Sequence, residues 1–277
     1  MHKPLISAQA LREHMQNRDT RLLLVDCRFD LMNPSSGQQA YLQGHLPGAF
    51  YLNLDSDLSD KSIALAGRHP IPNPESFTAL MRQIGVNSNT LLIAYDSGDM
   101  AMAARLWWLA RYYGHDKVSV LDGGITQWTK AGYVTVQTQT TSPPQGNFEA
   151  QVQSHMRVDH SQVHSTRCAL IDSRDAARYK GEIEPIDPVA GHIPGAINSF
   201  WKLCLNNEGL FKSPQELQTH WAWLSEYAKP PIVYCGSGVT ACVNLLGLEV
   251  AGVSGAQLFA GSWSEWCQRG GPVATNK

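Results

Sequence analysis

The sequence predicts an α/β protein of two tandem domains, each a parallel sheet covered by helices. Two observations predict it. Segments of the first half return, in order, in the second. Within each half, short Val/Ile/Leu-rich runs alternate with stretches of helical periodicity. Leu22–Asp30, LLLVDCRFD, returns as CALIDSRDA at Cys168–Ala176, and Gly44–Leu54, GHLPGAFYLNL, as GHIPGAINSFW at Gly191–Trp201. Leu91–Leu109 answers Pro230–Leu248, and Val118–Trp128 answers Ala256–Trp266. The offset shrinks slightly between His45/His192 and Tyr95/Tyr234, as one shorter loop in the second copy would give. The spacing places one domain at residues 1–138, a Thr-, Gln- and Pro-rich linker at 139–155, and a second domain at 156–277.

The helices carry their own start signals. Asn73–Gly85 opens on Asn-Pro and closes on glycine, and Ser213–Tyr227 opens on Ser-Pro-x-Glu, a capping pattern followed by apolar residues at helical spacing. Val233 and Tyr234 read as the end of a buried strand and Val243–Leu246 as part of a helix. Between them lies Cys-Gly-Ser-Gly-Val-Thr, residues 235–240.

Composition narrows the function. Hydrophobic residues make up 43% and charged residues 17%, so the chain has an ample core and a soluble surface. A net charge of −2 gives no footprint for nucleic acid and no polybasic membrane patch, and no apolar run spans a bilayer. The N-terminus lacks the apolar core of a secretory signal, and the cysteines Cys27, Cys168, Cys204, Cys235, Cys242 and Cys267 form neither a C-x-x-C pair nor a disulfide framework. A cytoplasmic protein without a metal site is expected.

Cys235 stands where a strand gives way to a helix, the place where parallel sheets keep their chemistry. Gly236 and Gly238 let the loop turn its amides inward, and amides converging at a helix start favour the thiolate over the thiol. The hydroxyls of Ser237 and Thr240 add donors, and Val239 completes the loop. The first copy has Asp96 in place of the cysteine, so only the second is expected to carry sulfur chemistry. A phosphatase would need arginine at position 241, where this chain has Ala241. Cys242 reads as a core residue, and Arg174 as half of a structural ion pair at a strand end.

The paired His-[Leu/Ile]-Pro-Gly-Ala segments, the Cys-Gly-Ser-Gly-Val-Thr loop and the final GSWSEW resemble the two-domain rhodanese superfamily of sulfurtransferases along nearly the whole chain. The resemblance implies two tandem rhodanese-like domains, each a parallel five-stranded sheet flanked by helices, the first catalytically silent. It implies a Cys235 persulfide, 3-mercaptopyruvate as donor, a thiol or cyanide as acceptor, a thioredoxin-like reductant among the partners, and no cofactor. A thiosulfate-using enzyme and a persulfide carrier serving a protein partner are the alternatives. Arg178 matches the arginine that grips the donor carboxylate, while Ile186 stands where the closest members carry a second one. The resemblance further implies a Ser-His-Asp set, matched by Ser237 and by His45 of the first His-Leu-Pro-Gly-Ala. The acid expected shortly before that histidine is absent, and His192 reads as structural. With no cation in the loop beside Cys235, mercaptopyruvate is expected over the dianion thiosulfate by roughly ten- to a hundredfold.

Overall fold

Two runs of buried residues, Leu91–Tyr95 in the first copy and Ile232–Tyr234 in the second, become the inner strands of two sheets in the computed structural model, which describes residues 3–17, 21–141, 143–164 and 168–275. By their contacts these residues form two units: 1–60, 71–153 and 208–210 in one, and 61–70, 154–207 and 211–277 in the other.

The first unit holds β1 (Leu5–Ile6), α1 (Ala8–Gln16), β2 (Leu22–Asp26), α2 (Ser36–Gln43), β3 (Ala49–Tyr51), α3 (Pro74–Gln83), β4 (Leu91–Tyr95), α4 (Ala101–Tyr112), β5 (Val118–Leu121) and α5 (Gly124–Lys130). The second holds β6 (Arg157–Val158), α6 (His160–His164), β7 (Leu170–Asp172), α7 (Ala176–Lys180), β8 (Ile197–Asn198), α8 (Pro214–His220), β9 (Ile232–Tyr234), α9 (Ala241–Val250), β10 (Gln257–Phe259) and α10 (Ser262–Gln268). Strand order is β1-β5-β4-β2-β3 in one sheet and β6-β10-β9-β7-β8 in the other, with every pairing parallel. The inner strands are apolar without alternation because helices flank the sheets.

The order fixes where chemistry can sit. After β9 the chain moves to β10 on one side, and after β7 it moves to β8 on the other. The carboxyl ends of β9 and β7 therefore bound a topological switch point, the crevice that open α/β sheets offer to ligands. Cys235 leaves β9 there and Arg174 leaves β7.

Capping follows the sequence signals. Asn73 caps α3 by accepting from Ser76 N, and Ser213 and Glu216 form the full capping box of α8. The Ser213–Tyr227 stretch does not stay helical throughout: α8 stops at His220 and a 3₁₀ turn covers Ala222–Glu226. Of the segment 139–155, expected as linker, residues 143–153 pack within the first unit. Phe148 is buried and its N–H donates to Val86 O, while Gln151 and Gln153 N–H donate to Tyr113 and Tyr112 O. The segment's polar composition hides these backbone bonds.

Each copy buries the same polar network at its switch point. In the first, Arg28 grips Asp26 at 2.6 Å and donates to Gly44 O at 2.7 Å, and Tyr95 Oη donates to Asp26 Oδ2 at 2.9 Å. In the second, Arg174 grips Asp172 at 2.7 Å and donates to Gly191 O at 2.6 Å. Both histidines of the His-[Leu/Ile]-Pro-Gly turns are tied alike. His45 bonds Tyr41 O through Nδ1 at 2.7 Å and stacks on the Tyr41 ring, and His192 bonds Tyr179 O at 2.7 Å and stacks on Tyr179.

In the first copy the Asp96 carboxylate fills its own loop. Its Oδ1 accepts from the amides of Gly98 and Met100, and its Oδ2 from those of Met102 and Ala103, at 2.9 to 3.1 Å. Asp96→Ala would strand buried donors that cost about 1–3 kcal/mol each when unpaired. A net loss of at least about 3 kcal/mol, on the order of 10 °C in the first domain's melting transition, is expected by calorimetry. An unchanged transition would show that the amides find other partners.

Candidate active site

Cys235 is 1% exposed, and Gly238 N–H donates to its Sγ at 3.1 Å. Three features hold it there. Cys235 N–H donates to Ser262 Oγ at 3.1 Å, Cys235 O accepts from Trp263 N, and Gly236 O accepts from Ser264 N, so the start of α10 clasps the loop. Ser262 reaches this position from a left-handed backbone, φ 54°, a strained conformation for a serine. Behind the loop, α9 is anchored by buried Asn244, whose Nδ2 donates to Ser173 Oγ at 2.9 Å and Ser199 O at 2.7 Å.

Of the predicted loop residues, Gly238 supplies the amide contact to sulfur, and Val239 and Thr240 instead offer their carbonyls to Cys242 and Val243 to start α9. Gly238 has two reasons to be glycine. Its φ is +75°, and an added Cβ would lie 2.2 Å from Ala260 O. Cys242 is buried in the core, with Sγ on Gly238 O at 3.4 Å.

Ser237 Oγ lies 2.8 Å from Nδ1 of buried His69. His45, expected in that role, has both ring nitrogens on backbone carbonyls of the first unit, Tyr41 O at 2.7 Å and Thr138 O at 3.2 Å. It therefore ties a turn, as His192 does. Residues 61–70, which carry His69, belong by their contacts to the second unit. Gly67 allows this approach: a Cβ there would meet Gly261 O at 2.6 Å, and Arg68 N–H donates to Ser264 Oγ at 3.1 Å. One sequence signal could have found His69, since Asp60 stands nine residues ahead of it whereas nothing acidic stands close before His45 in residues 33–37.

Gly236 is overlain by cations. A Cβ built on it would lie 2.8 Å from Arg68 Nη2, 3.5 Å from Arg178 Nη2 and 3.6 Å from Arg178 Nη1. The expectation of a site without positive charge beside Cys235 is thereby corrected. The charges come from residues far from the loop in sequence. Arg178 forks onto Glu184, Nε to Oε2 at 3.1 Å and Nη2 to Oε1 at 2.7 Å, and reaches Asp187 Oδ2 at 3.2 Å. Arg68 Nη1 pairs with Asp187 Oδ1. Glu184 also meets Arg174 at 3.3 Å, and Trp263 packs under the Arg174 guanidinium at 4.7 Å. Burial works to raise the Glu184 carboxyl, but hydrogen bonds from Arg178 and the amides of Asp187 and Ile186 hold it below its ordinary value. Burial raises Asp187 above its own, against the pull of Arg68. Ile186 is 42% exposed and contributes no charge to this cluster.

Among the described residues no group of three or more His, Cys, Asp or Glu is arranged to hold a metal ion, and no helix is long and apolar enough to cross a membrane. A buried thiol at the switch point of a parallel sheet, bonded by a loop amide and bordered by guanidinium donors, is an arrangement suited to thiol-based group transfer.

The rhodanese-like domain model matches residues 7–131 and again 155–269. A probable 3-mercaptopyruvate sulfurtransferase of Pseudomonas aeruginosa is 39% identical, covering 95% of this chain and 94% of its own. A 3-mercaptopyruvate sulfurtransferase of Escherichia coli is 37% identical with 95% of each chain covered, and a putative thiosulfate sulfurtransferase, SseB, of Mycobacterium tuberculosis is 38% identical over 95% and 93%. The crystal structure of Escherichia coli SseA superposes with a TM-score of 0.82 at 35% identity, covering 95% of this chain and 99% of that one. The chain belongs to the rhodanese family, in its tandem two-domain form, and it is a sulfurtransferase.

Two glycines at equal φ separate strain from collision at this site. Gly195, φ +82°, has open space around its missing Cβ, so Gly195→Ala should cost only about 1–2 kcal/mol of backbone strain. Gly238→Ala adds the clash with Ala260 O and should cost more than about 3 kcal/mol and move the amide off Cys235 Sγ. Thermal denaturation of both variants checks this; equal losses would mean that the loop is free to give.

Proposed function

We propose that this enzyme moves a sulfane sulfur from 3-mercaptopyruvate through a Cys235 persulfide to a thiol or to cyanide. The observation that carries the reading is the Cys235 thiol under the Gly238 amide, with arginine donors over the neighbouring residue. The Cys235 thiolate attacks the sulfur of the donor. The S–S bond forms, the C–S bond breaks, and its electron pair leaves as the enolate of pyruvate. The Ser237 hydroxyl, bonded to His69, supplies the proton that completes pyruvate at its methyl carbon and is reprotonated through the imidazole. In the second half-reaction the acceptor attacks the outer sulfur and Cys235 returns to its thiolate, so one hard transfer is divided into two easier ones. Arg178 binds the donor carboxylate; Gly236, Gly238, Val239 and Thr240 shape the loop that receives the sulfur, which Gly238 N–H steadies. The relatives that bear the name of this donor support the assignment, as does the charge balance, since Arg68, Arg174 and Arg178 face Asp172, Glu184 and Asp187. A balanced cluster accepts one added carboxylate more readily than a dianion. A thioredoxin-like protein thiol as acceptor and a reducing, cytoplasmic setting belong to this reading, which the six free cysteines suit.

Thiosulfate is the second reading, favoured by the guanidiniums beside Gly236 and by the mycobacterial relative's name. Intact-protein mass spectrometry after each donor, with kcat/KM for both against one acceptor, decides between them. Mercaptopyruvate should load one sulfur on Cys235 and be the better donor; thiosulfate equal or better would overturn the assignment and leave the enzyme class standing.

Cys235→Ser should abolish transfer from any donor, whereas Cys27→Ser should leave it intact. His69→Gln should lower turnover by roughly tenfold or more, as loss of a proton relay does. His45→Gln should lower the melting temperature with turnover kept, and a reversed pattern for the histidines would sink the assignment of the relay.

A further inference from the structure

A cluster of fixed charges next to a nucleophile raises a question of which donors remain free. Arg178 spends Nε and Nη2 on Glu184 and Nη2 again on Asp187, which leaves Nη1 without a hydrogen-bond partner among the described residues. Arg68 spends Nη1 on Asp187 and its backbone N–H on Ser264; among the described residues Nη2 has no hydrogen-bond partner, and Nε is buried without one. Arg68 Nη2 and Arg178 Nη1 both border the space that a side chain at Gly236 would enter, 2.8 and 3.6 Å from a Cβ built there, one residue from Cys235. Asp187 sets this arrangement. Its two oxygens take one guanidinium each, so the two side chains are held beside one another next to Gly236. Guanidinium N–H groups that no protein oxygen takes, held in place by buried carboxylates beside a buried thiol, are placed to donate to an anionic ligand.

We propose that Arg68 is the second jaw of a carboxylate clamp: Arg68 Nη2 and Arg178 Nη1 each donate to one oxygen of the carboxylate of a 2-oxo acid, with Asp187 as the spacer between the guanidiniums. The proposal rests on the reading that the donor carries a carboxylate. It assigns specificity to a residue outside the second copy's own segment, and it explains how position 186 can be an exposed isoleucine. Two guanidiniums abreast fix the plane of a carboxylate as well as its place, so the carbon bearing the donor sulfur is aimed at Cys235.

The test uses the full-length enzyme, its Arg68→Ala and Arg68→Lys variants, and the Arg68→Ala/Ile186→Arg double variant. With mercaptopyruvate and cyanide, Arg68→Ala should raise KM by roughly ten- to a hundredfold and change kcat much less. Arg68→Lys, which keeps the charge and the pair with Asp187, should recover only part of the loss. Ile186→Arg in the Arg68→Ala background should recover affinity if a cation from that side can reach the same carboxylate; no recovery would place the second jaw strictly at position 68. Pyruvate provides a readout without turnover, as protection of Cys235 from iodoacetamide, and its half-protecting concentration should rise by the same factor as KM. Unchanged KM and unchanged pyruvate protection in both Arg68→Ala and Arg68→Lys would overturn the clamp, as would a fall in kcat alone. A wild-type enzyme that takes no sulfur from mercaptopyruvate would sink the donor assignment instead, and pyruvate protection would still judge the clamp.

Discussion

The site depends on one buried ion pair, Asp172 with Arg174, at the carboxyl end of β7. Register places Asp172 beside Tyr234, the last residue of β9 and the one before Cys235. Burial, and then the nearby Asp172 charge, push the Tyr234 phenol well above its ordinary value, so it stays a neutral donor to that carboxylate. Its oxygen also accepts from Ile193 N at 3.2 Å, which ties the His-Ile-Pro-Gly turn to the strand that leads into Cys235. Arg174 is itself almost wholly enclosed. Burial opposes its charge, and Asp172 more than restores it. A charge pair enclosed in this way is worth little as stabilisation against an apolar pair of the same shape. Its value is geometric, because it allows one arrangement of strand end, turn and cysteine loop.

From that pair the charges continue outward in alternating sign. Arg174 meets Glu184, Glu184 meets Arg178, Arg178 meets Asp187 and Asp187 meets Arg68. Each link is a side chain whose rotamer is settled by the one before it, so a constraint set in the sheet reaches the surface over Gly236 with little freedom added. Coulomb repulsion among three guanidiniums is offset by Glu184 and Asp187 placed between them and by Asp172 at the inner end. The sulfur side is built differently, from backbone and one short hydroxyl. The Gly238 and Trp263 amides and Ser262 Oγ supply the contacts of Cys235, which hold position without long side chains to order.

Much of this was legible in the sequence. The duplication, the strand before Cys235 and the caps at Asn73 and Ser213 announce themselves through local pattern, and local pattern is what the backbone obeys there. Cys235 stood out because its counterpart is Asp96, and Arg174 because it follows a strand end by two residues. The histidine was misplaced for a physical reason. His45 sits in a conspicuous motif because that motif builds a turn, with Tyr41 stacked on the ring, while His69 lies in an unpatterned loop whose importance comes from where it packs. Arg68 was missed for the same cause, since a residue 167 positions before Cys235 shows no spacing to it. The polar segment after residue 138 looked like a tether because its hydrogen bonds run through backbone, which composition does not record.

The loop around Asp96 has a consequence for how the two halves divided their labour. The connections after β4 and β9 are equal in length, since Leu91–Leu109 answers Pro230–Leu248 residue for residue, and they differ in what fills them. After β4, four amides turn onto two carboxylate oxygens, a pocket closed around its own side chain. A thiol placed there would offer one large sulfur where two oxygens now stand, and it would leave amides without a partner. The copies have thus diverged in residue and not in chain length. In the first, the anion that such a ring of amides receives is already part of the chain.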